Sequence, residues 1–422
     1  MGGVLLGIYT GIICLMAAQS LLGLRMQLFI WEEADRAELN RSPGRYAAPT
    51  TSFTVLLPAR NEEAVIADTI DKICRVNYPQ SLLQVLVICE IGDTDTIDKV
   101  RERLAQPGAE HVRLIIFRDG PINKPHGLNK GLQVADKDVV TVFDAEDEPH
   151  EDIFNIINTT FMSEETDVVQ GGVYLMNYDT HWFSALNVLE YYFWFKSSLH
   201  FFSSSGLIPL GGNTVFVKRR VLQRLGGWDE DCLTEDADLG IRLSVSGARI
   251  RVLCDDEHVT REETPHSARM LMKQRTRWHQ GFFQVLRKGD WKYLPTRSQR
   301  MLAAYILSGP FIQAAFAVML PISLAMMLMV KLPVLLAMLT FAPLYMFGLQ
   351  LCLDVVGLAE FIRAQRREFT LSTFALTIIG FAPYQWLLAF AAFRAIIRQI
   401  RKQTNWEKTA HVGAHRKVEY VA

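Results

Sequence analysis

The stretch VVTVFDAEDEP at residues 139–149 constrains the fold more than any other part of this chain. Four β-branched residues and a phenylalanine run straight into four positions carrying Asp144, Glu146 and Asp147. A short apolar run of this kind reads as a buried strand of a parallel sheet. Ligands of open α/β sheets gather just beyond the carboxyl ends of such strands. Acids placed there are not core, and they repel one another unless a cation sits between them. A hard divalent ion takes one or two carboxylates and completes its shell with phosphate oxygens. The plain alternative is a solvated acidic turn, so the rest of the chain has to decide.

Around this stretch, strand and helix patterns alternate from Phe53 onward. FTVLLPA (53–59), LLQVLVICE (82–90), VRLIIFR (112–118) and DVVQGGVYLM (167–176) read as further strands. Helices are predicted to open at Glu62–Glu63, near Thr94 and around Leu128. Such alternation implies right-handed crossovers and a mostly parallel α/β sheet. No Gly-x-Gly-x-x-Gly and no Gly-Lys-Ser/Thr loop occurs, which excludes the usual dinucleotide and P-loop signatures. Charged groups nevertheless mark four consecutive strand ends. They are the stretch from Pro58 through Arg60 to Glu62, then Glu90 with Asp93 and Asp95, then Lys124, then the acidic cluster. A nucleotide crevice requires this; ordinary capping of helix first turns by Asp93 and Glu62–Glu63 is the bland reading.

Composition narrows the setting. The 422 residues are 50 % hydrophobic and 21 % charged, with a mean hydropathy of +0.12, which is too apolar for an ordinary soluble enzyme. Net charge is −1, so nothing points to a nucleic-acid partner. Six scattered cysteines form no Cys-x-x-Cys pair, which argues against zinc and a disulfide framework and fits a reducing compartment. Residues 4–24 are an uncharged apolar run long enough to cross a bilayer. The first basic residue, Arg25, follows this run, so an uncleaved anchor with its N-terminus outside is expected.

Taken in order, PARNEE (58–63), Lys124-Pro-His-Gly-Leu-Asn129-Lys-Gly131, FDAED (143–147), Thr234-Glu235-Asp236 and Gln274-Arg-Thr-Arg277-Trp278 resemble family 2 glycosyltransferases. The resemblance covers roughly 53–290 and is to the membrane-bound, processive branch that includes cellulose, hyaluronan and exopolysaccharide synthases. It implies a GT-A (Rossmann-like) domain with N- and C-terminal transmembrane helices, and inversion at the anomeric carbon. It also implies Mg²⁺ or Mn²⁺ held by Asp144 and Glu146, and Asp236 as catalytic base with Glu235 beside it. Donor contacts are expected from Pro58, Arg60, Glu62, Glu90, Lys124, Asp144, Gln274 and Arg277. Acceptor contacts are expected from Trp278, Gly212, Asn213 and Glu235. Two positions depart from the family pattern. Glu146 stands where Asp is usual, leaving open whether it or Asp147 reaches the ion; Glu90 or Asp93 stands in for the uracil-contacting Asp.

Residue chemistry supports this assignment independently. Inverting transfer needs positive charge on a departing diphosphate and one base on the opposite face of an oxocarbenium-like centre. Asp236 sits at a predicted helix start that Thr234 would cap, where a first-turn acid is also favoured by the helix dipole. Residues 265–289 read as a helix with Gln274, Arg277 and Trp278 on one face. An Arg fork suits a diphosphate and an indole suits a sugar ring; a basic surface helix is the ordinary alternative. The aromatic stretch 181–202 (HWFSALNVLEYYFWFKSSLHFF) reads as an interfacial or acceptor-lining helix, with a core stripe as the default. Gly211-Gly212-Asn213-Thr214 suits either close approach to a sugar or a tight turn.

Six segments are expected: an anchor (1–30), a linker (31–52) with a short amphipathic helix at 31–41, the GT-A domain (53–260), the Gln-x-x-Arg-Trp helices (261–300), a C-terminal membrane region (301–397) and a cytoplasmic tail (398–422). Three crossings after residue 300 would strand the basic tail outside, so 371–397 is expected to re-enter or lie interfacially as a pair hinged at Pro383. Asp354 lies in an apolar span, where acids are costly and commonly functional. Trp406 to Thr409 resembles family tails that fold back toward the active site. The leading expectation is a multi-pass cell-membrane enzyme with a cytoplasmic catalytic domain, moving a sugar from a UDP-sugar, with UDP-glucose as default, onto a growing β-linked polysaccharide. Its expected partners are the nucleotide-sugar donor, a saccharide or lipid acceptor, membrane lipids and export proteins. The alternative is single-sugar transfer to a lipid, as in ceramide glucosyltransferases; a non-catalytic membrane scaffold is the remote third.

Overall fold

A computed structural model of the protein describes residues 2–329, 334–403, 407 and 413–417. Strands β1 (Phe53–Pro58), β2 (Leu83–Glu90), β3 (Val112–Phe117) and β4 (Val139–Val142) run parallel, joined by crossover helices. β5 (Val168–Gly171), β6 (Val173–Leu175), β7 (Val215–Lys218), β8 (Ile250–Leu253) and β9 (Thr260–Glu262) follow. The main sheet has the order β3-β2-β1-β4-β7-β5-β8, and β7 runs antiparallel to both of its neighbours. Alternate residues face opposite sides. Val55 and Leu57 join a core with Phe53, Phe143, Phe154 and Phe216, while Leu56 faces a second core with Val140, Val142 and Tyr174. Phe53 meets Phe154 at 5.0 Å and Phe216 at 6.0 Å between ring centroids, and such pairs contribute about 0.5–1.5 kcal/mol each beyond burial.

Four local expectations change. The run 167–176 is two strands, because the chain leaves the main sheet at Gly172, and β6 pairs with β9 instead. A Cβ there would stand 2.7 Å from Cys254 Sγ and 3.1 Å from its Cα, so only glycine passes. The first helix opens at Ile66, not Glu62. Asn61, at φ +51°, donates its N–H to Asp93 Oδ2, and Glu62 donates to Thr96 Oγ1, which holds the intervening residues as a turn. The helix expected around Leu128 begins already at Lys124, behind Asn123, whose side chain caps it by accepting from His126 N. The amphipathic helix expected over 31–41 shortens to Ala34–Glu38.

Among the described residues, four helices are long and apolar enough to cross a membrane, within Gly7–Trp31, Gly309–Met326, Ala337–Ala364 and Leu371–Ile400. The first ends on the α/β domain, where Ser197 Oγ accepts from Ile30 N and donates to Met26 O. The third ends there too, with Gln365 donating to Asp256 O. Within it, Asp354 is buried and accepts from Gln350.

Leu371–Ile400 is one helix of 30 residues, about 45 Å long, continuous through Pro383 instead of hinging there. Packing explains the tolerance: Phe381, Tyr384 and Leu388 are buried against Phe183, Leu186 and Leu271, and Gly380 lies against the Trp182 carbonyl. Both flanks nevertheless meet the α/β domain or its adjoining helix. Before the helix, Arg366 pairs with Glu257; near its end, Arg398 donates to Gln280, which donates to Gln403 O. Trp406, Lys408 and Thr409 lie outside the described residues. Glu407 between them pairs with Arg394 through two bonds of 2.7 Å.

Candidate functional site

A cleft of about 460 Å³ opens where the carboxyl ends of β1, β2 and β4 meet the helix Ala268–Lys288. Pro58, Arg60, Glu62, Glu90, Lys124, Asp144, Glu146, Gly212, Asn213, Glu235, Asp236, Gln274, Arg277 and Trp278 all line it. Its charged side is built by strand ends and helix starts. β4 delivers Asp144 and Glu146, Lys124 opens the helix Lys124–Val134, and Glu235 and Asp236 open Glu235–Val245. Lys124 Nζ lies 2.5 Å from Asp144 Oδ1, 3.9 Å from Glu235 Oε1 and 3.3 Å from Gly212 O. Asp236 turns Oδ2 toward Gly212, where an added Cβ would meet it at 3.2 Å, while Oδ1 accepts from Ala237 N. The carboxylates of 144 and 236 thus share one cavity, in which a single ammonium links Asp144 to Glu235.

Thr234 holds the N-cap position, but its side chain makes no capping bond. Its hydroxyl and methyl instead pack on Gly281, where any Cβ would come within 2.4 Å. That contact presses the helix carrying Gln274 and Trp278 against the helix carrying Asp236, and it requires glycine at 281.

The acidic loop divides its carboxylates by direction. Asp147 is fully buried, and accepts from Asn213 Nδ2 at 2.9 and 2.8 Å and from Asp144 N at 2.8 Å. It braces the loop from behind, while Glu146 lines the cleft. Asn213 lines the cleft as well, but its amide is engaged by Asp147. Thr214 beside it sits at φ +52°, rare for a β-branched residue. Bonds from Thr214 N to Val142 O and from Gly171 N to Thr214 O hold it there. On β2, Glu90 reaches the cleft, with Gly92 leaving room for its carboxylate; Asp93 instead caps Thr94–Leu104 and anchors Asn61.

Electrostatics follow from this crowding. Burial pushes Glu235 up to about 7; Lys124 pulls it down and Asp236 adds to the rise. Burial also raises Asp236, which the Ala237 N–H, Lys124 and Arg277 partly counter. Burial opposes the charge on Lys124, but Asp144 and Glu235 more than offset it, so its pKa is raised. Asp147 is raised by burial first, then by the charges of Asp144, Glu262 and Glu146. Such an excess of negative potential suits a cation. Among the described residues no group of three or more His, Cys, Asp or Glu forms a ready cage. Two cleft-facing carboxylates fit an ion that takes its remaining oxygens from phosphate and water.

Opposite the carboxylates the wall is aromatic. Trp278 and Tyr191 rings lie 6.1 Å apart, and the Arg275 guanidinium sits 4.2 Å over the Trp278 ring. Glu190, Trp194, Phe195, Phe282, Gln313 and Leu388 continue that wall. Glu190, Arg275 and Arg416 were not anticipated from the sequence. Glu190 did carry a signal, as the one acid inside the aromatic stretch 181–202. Arg416 carried none. It reaches back from the tail to donate to Val65 O at 3.0 Å, Thr69 Oγ1 at 2.5 Å and Glu146 O at 3.0 Å. Thr69 Oγ1 in turn donates to Ala145 O. The backbone under Asp144–Glu146 is thereby tied from below.

Comparison with known proteins places this geometry. The chain is 28 % identical over 383 residues to a beta-monoglucosyldiacylglycerol synthase of Nostoc sp., covering 85 % of this chain and 76 % of that protein. It is 25 % identical over 263 residues to the probable glycosyltransferase YdaM of Bacillus subtilis, covering 59 % of each. Among solved structures it resembles the mannosyltransferase PcManGT of Pyrobaculum calidifontis, solved with GDP-mannose and Mn²⁺. There the TM-score is 0.50 at 19 % identity, over 92 % of this chain and 99 % of that one, a likeness of fold. The family model "Glycosyltransferase like family 2" matches residues 49–281, more than half of the chain. The protein is therefore an enzyme with a GT-A fold and belongs to glycosyltransferase family 2.

Proposed function

We propose that the protein transfers a single sugar from a nucleotide sugar to the hydroxyl of a membrane lipid, inverting the anomeric centre. UDP-glucose is the first donor to try. The observation that carries this reading is the composition of the cleft wall. Leu388 and Gln313, on two helices long and apolar enough for a membrane, border the same cavity as Asp144 and Asp236. An acceptor alcohol could enter from the bilayer side with its acyl chains still in apolar surroundings. The glucosyldiacylglycerol synthases among the relatives support a lipid acceptor over the growing polysaccharide.

In this reading Asp236 takes the proton of the acceptor hydroxyl, and a positioned base contributes roughly 10²–10⁴-fold. Lys124 and Arg277 hold the diphosphate, and Lys124 keeps Asp144 and Glu235 close without mutual repulsion. Asp144 and Glu146 would hold a Mg²⁺ or Mn²⁺ ion, which supplies positive charge to the departing diphosphate. Trp278 gives the reacting ring or alcohol an apolar floor. The helices Gly2–Leu28, Gly309–Met329 and Ala342–Ala364 cross the membrane, with the catalytic domain on the cytoplasmic side. Leu371–Ile400, both of whose flanks meet that domain, lies along the membrane surface. This arrangement leaves the basic tail inside without a hinge at Pro383.

The test supplies detergent-purified protein with diacylglycerol vesicles, Mg²⁺ or Mn²⁺, and in turn UDP-glucose, UDP-galactose and GDP-mannose. Nucleotide release and product mass are both read. A product one hexose heavier than the lipid is expected. A ladder of saccharides without glycolipid would restore the polysaccharide reading and overturn this one.

A further inference from the structure

We infer that Glu190 is a positioning residue for the acceptor, acting through Arg275 on the Trp278 indole, with Tyr384 as its anchor. This rests on Trp278 being the acceptor floor of the proposed reaction. The three parts come from three helices: Glu190 from Ser184–Phe193, Arg275 and Trp278 from Ala268–Lys288, and Tyr384 from Leu371–Ile400. One carboxylate oxygen, Glu190 Oε2, accepts from both Arg275 Nη2 and the Tyr384 hydroxyl, the latter at 2.7 Å. Arg275 is 8 % exposed and Tyr384 1 %. The guanidinium so fixed lies 4.2 Å over the Trp278 ring, and Tyr191, next to Glu190, stands 6.1 Å from the same indole.

Stability alone is a poor reason for such a pair. Desolvating two charges in a mostly apolar setting commonly offsets their attraction, so a hydrophobic replacement would hold the helices as well. A buried carboxylate–guanidinium pair does fix geometry, because the planar fork leaves little freedom once paired. Here the paired guanidinium lies over an indole that borders the cleft. Arg275 occupies one face of that indole, and the acceptor takes the space on the cleft side. Tyr384 does not reach the cleft, and Glu190, which borders it, acts on the acceptor through Arg275 and the indole. They set the tilt of the surface on which the acceptor hydroxyl approaches Asp236, and misplacement by about 1 Å costs up to roughly 10²-fold. Tyr384 further ties that surface to the helix read as lying along the bilayer, so the acceptor floor is referenced to the membrane plane.

The experiment uses the full chain with nucleotide sugar and lipid vesicles. Glu190→Gln, Arg275→Lys and Tyr384→Phe are compared with the parent for acceptor KM, donor KM and kcat. Each is expected to raise acceptor KM about tenfold while donor KM stays within about twofold. In a Trp278→Phe background, Glu190→Gln is expected to add nothing further. Donor KM rising in parallel with acceptor KM, unchanged acceptor KM, or full additivity with Trp278→Phe would each overturn the inference. If Glu190→Gln fails to fold, Tyr384→Phe removes a single hydroxyl and carries the test alone. Should the parent enzyme use a saccharide instead of a lipid, the lipid reading falls by itself, and the same KM split measured with that saccharide decides the clamp.

Discussion

The two sides of the cleft are built on different principles. The side bearing Asp144, Glu146, Lys124 and Asp236 is made of strand ends and helix first turns. Its loops carry short local links such as Asp147 to Asp144 N and Asn123 to His126 N, reinforced from behind by Asn213 and Arg416. The side bearing Trp278, Tyr191 and Glu190 is made of helix faces, joined by contacts between residues 85 and 194 positions apart. Charge chemistry demands preorganised dipoles in a rigid frame, which the end of a parallel sheet provides. Recognition of an apolar acceptor demands area and shape, which packed helices provide. In the proposed reaction this becomes a division of labour, with donor chemistry at the sheet end and acceptor choice on the helices.

Predictions sharpen or break that division. The largest effect belongs to the base. Asp236→Asn should cut kcat by roughly 10²–10⁴-fold with donor affinity retained, as read by turnover and nucleotide binding; full activity would remove Asp236 from the mechanism. Next, Asp144→Asn and chelation with EDTA should each lower turnover by roughly 10²–10³-fold, with acceptor KM unmoved. A rise in acceptor KM there would show the two sides to be coupled.

Third, Arg416→Ala loosens the backbone under Glu146. It should raise the concentration of Mg²⁺ or Mn²⁺ needed for half-maximal activity by about 10–100-fold, as second-sphere partners of metal ligands do. The smallest effect concerns Glu235. Its folded pKa of about 7 lies above the ordinary carboxyl value, so the folded state binds the extra proton. That contribution to stability is complete below the unfolded pKa and is lost as pH rises toward 7. The parent's melting temperature should therefore decline between about pH 4.5 and 7, by an amount worth roughly 1–3 kcal/mol. Glu235→Gln should flatten that decline, and an unchanged slope would assign the titration elsewhere.

Much of the charged side was legible in the linear chain because its signals are local. An apolar run followed by acids is readable without knowing what it packs against, and the five ordered motifs fall around one cleft. Strands β7, β8 and β9 were not anticipated, being three or four residues long and carrying Lys218, Arg251 and Arg261. The expected hinge at Pro383 failed for a related reason. A proline's local penalty was outweighed by packing of Phe381, Tyr384 and Leu388 that no window of sequence displays.

The sequence by itself determined the α/β pattern, the apolar segments and the acidic and basic motifs that gather at one cleft, since periodicity and spacing act within a few residues. Only the tertiary structure decided which carboxylate faces the cleft and which braces the loop behind it, because Asp147 and Glu146 differ in direction and not in kind. It also decided that Arg416 supports a loop 270 residues earlier and that Glu190 meets Tyr384 across 194. Contacts at that separation are chosen by packing of whole elements, and no local pattern encodes them.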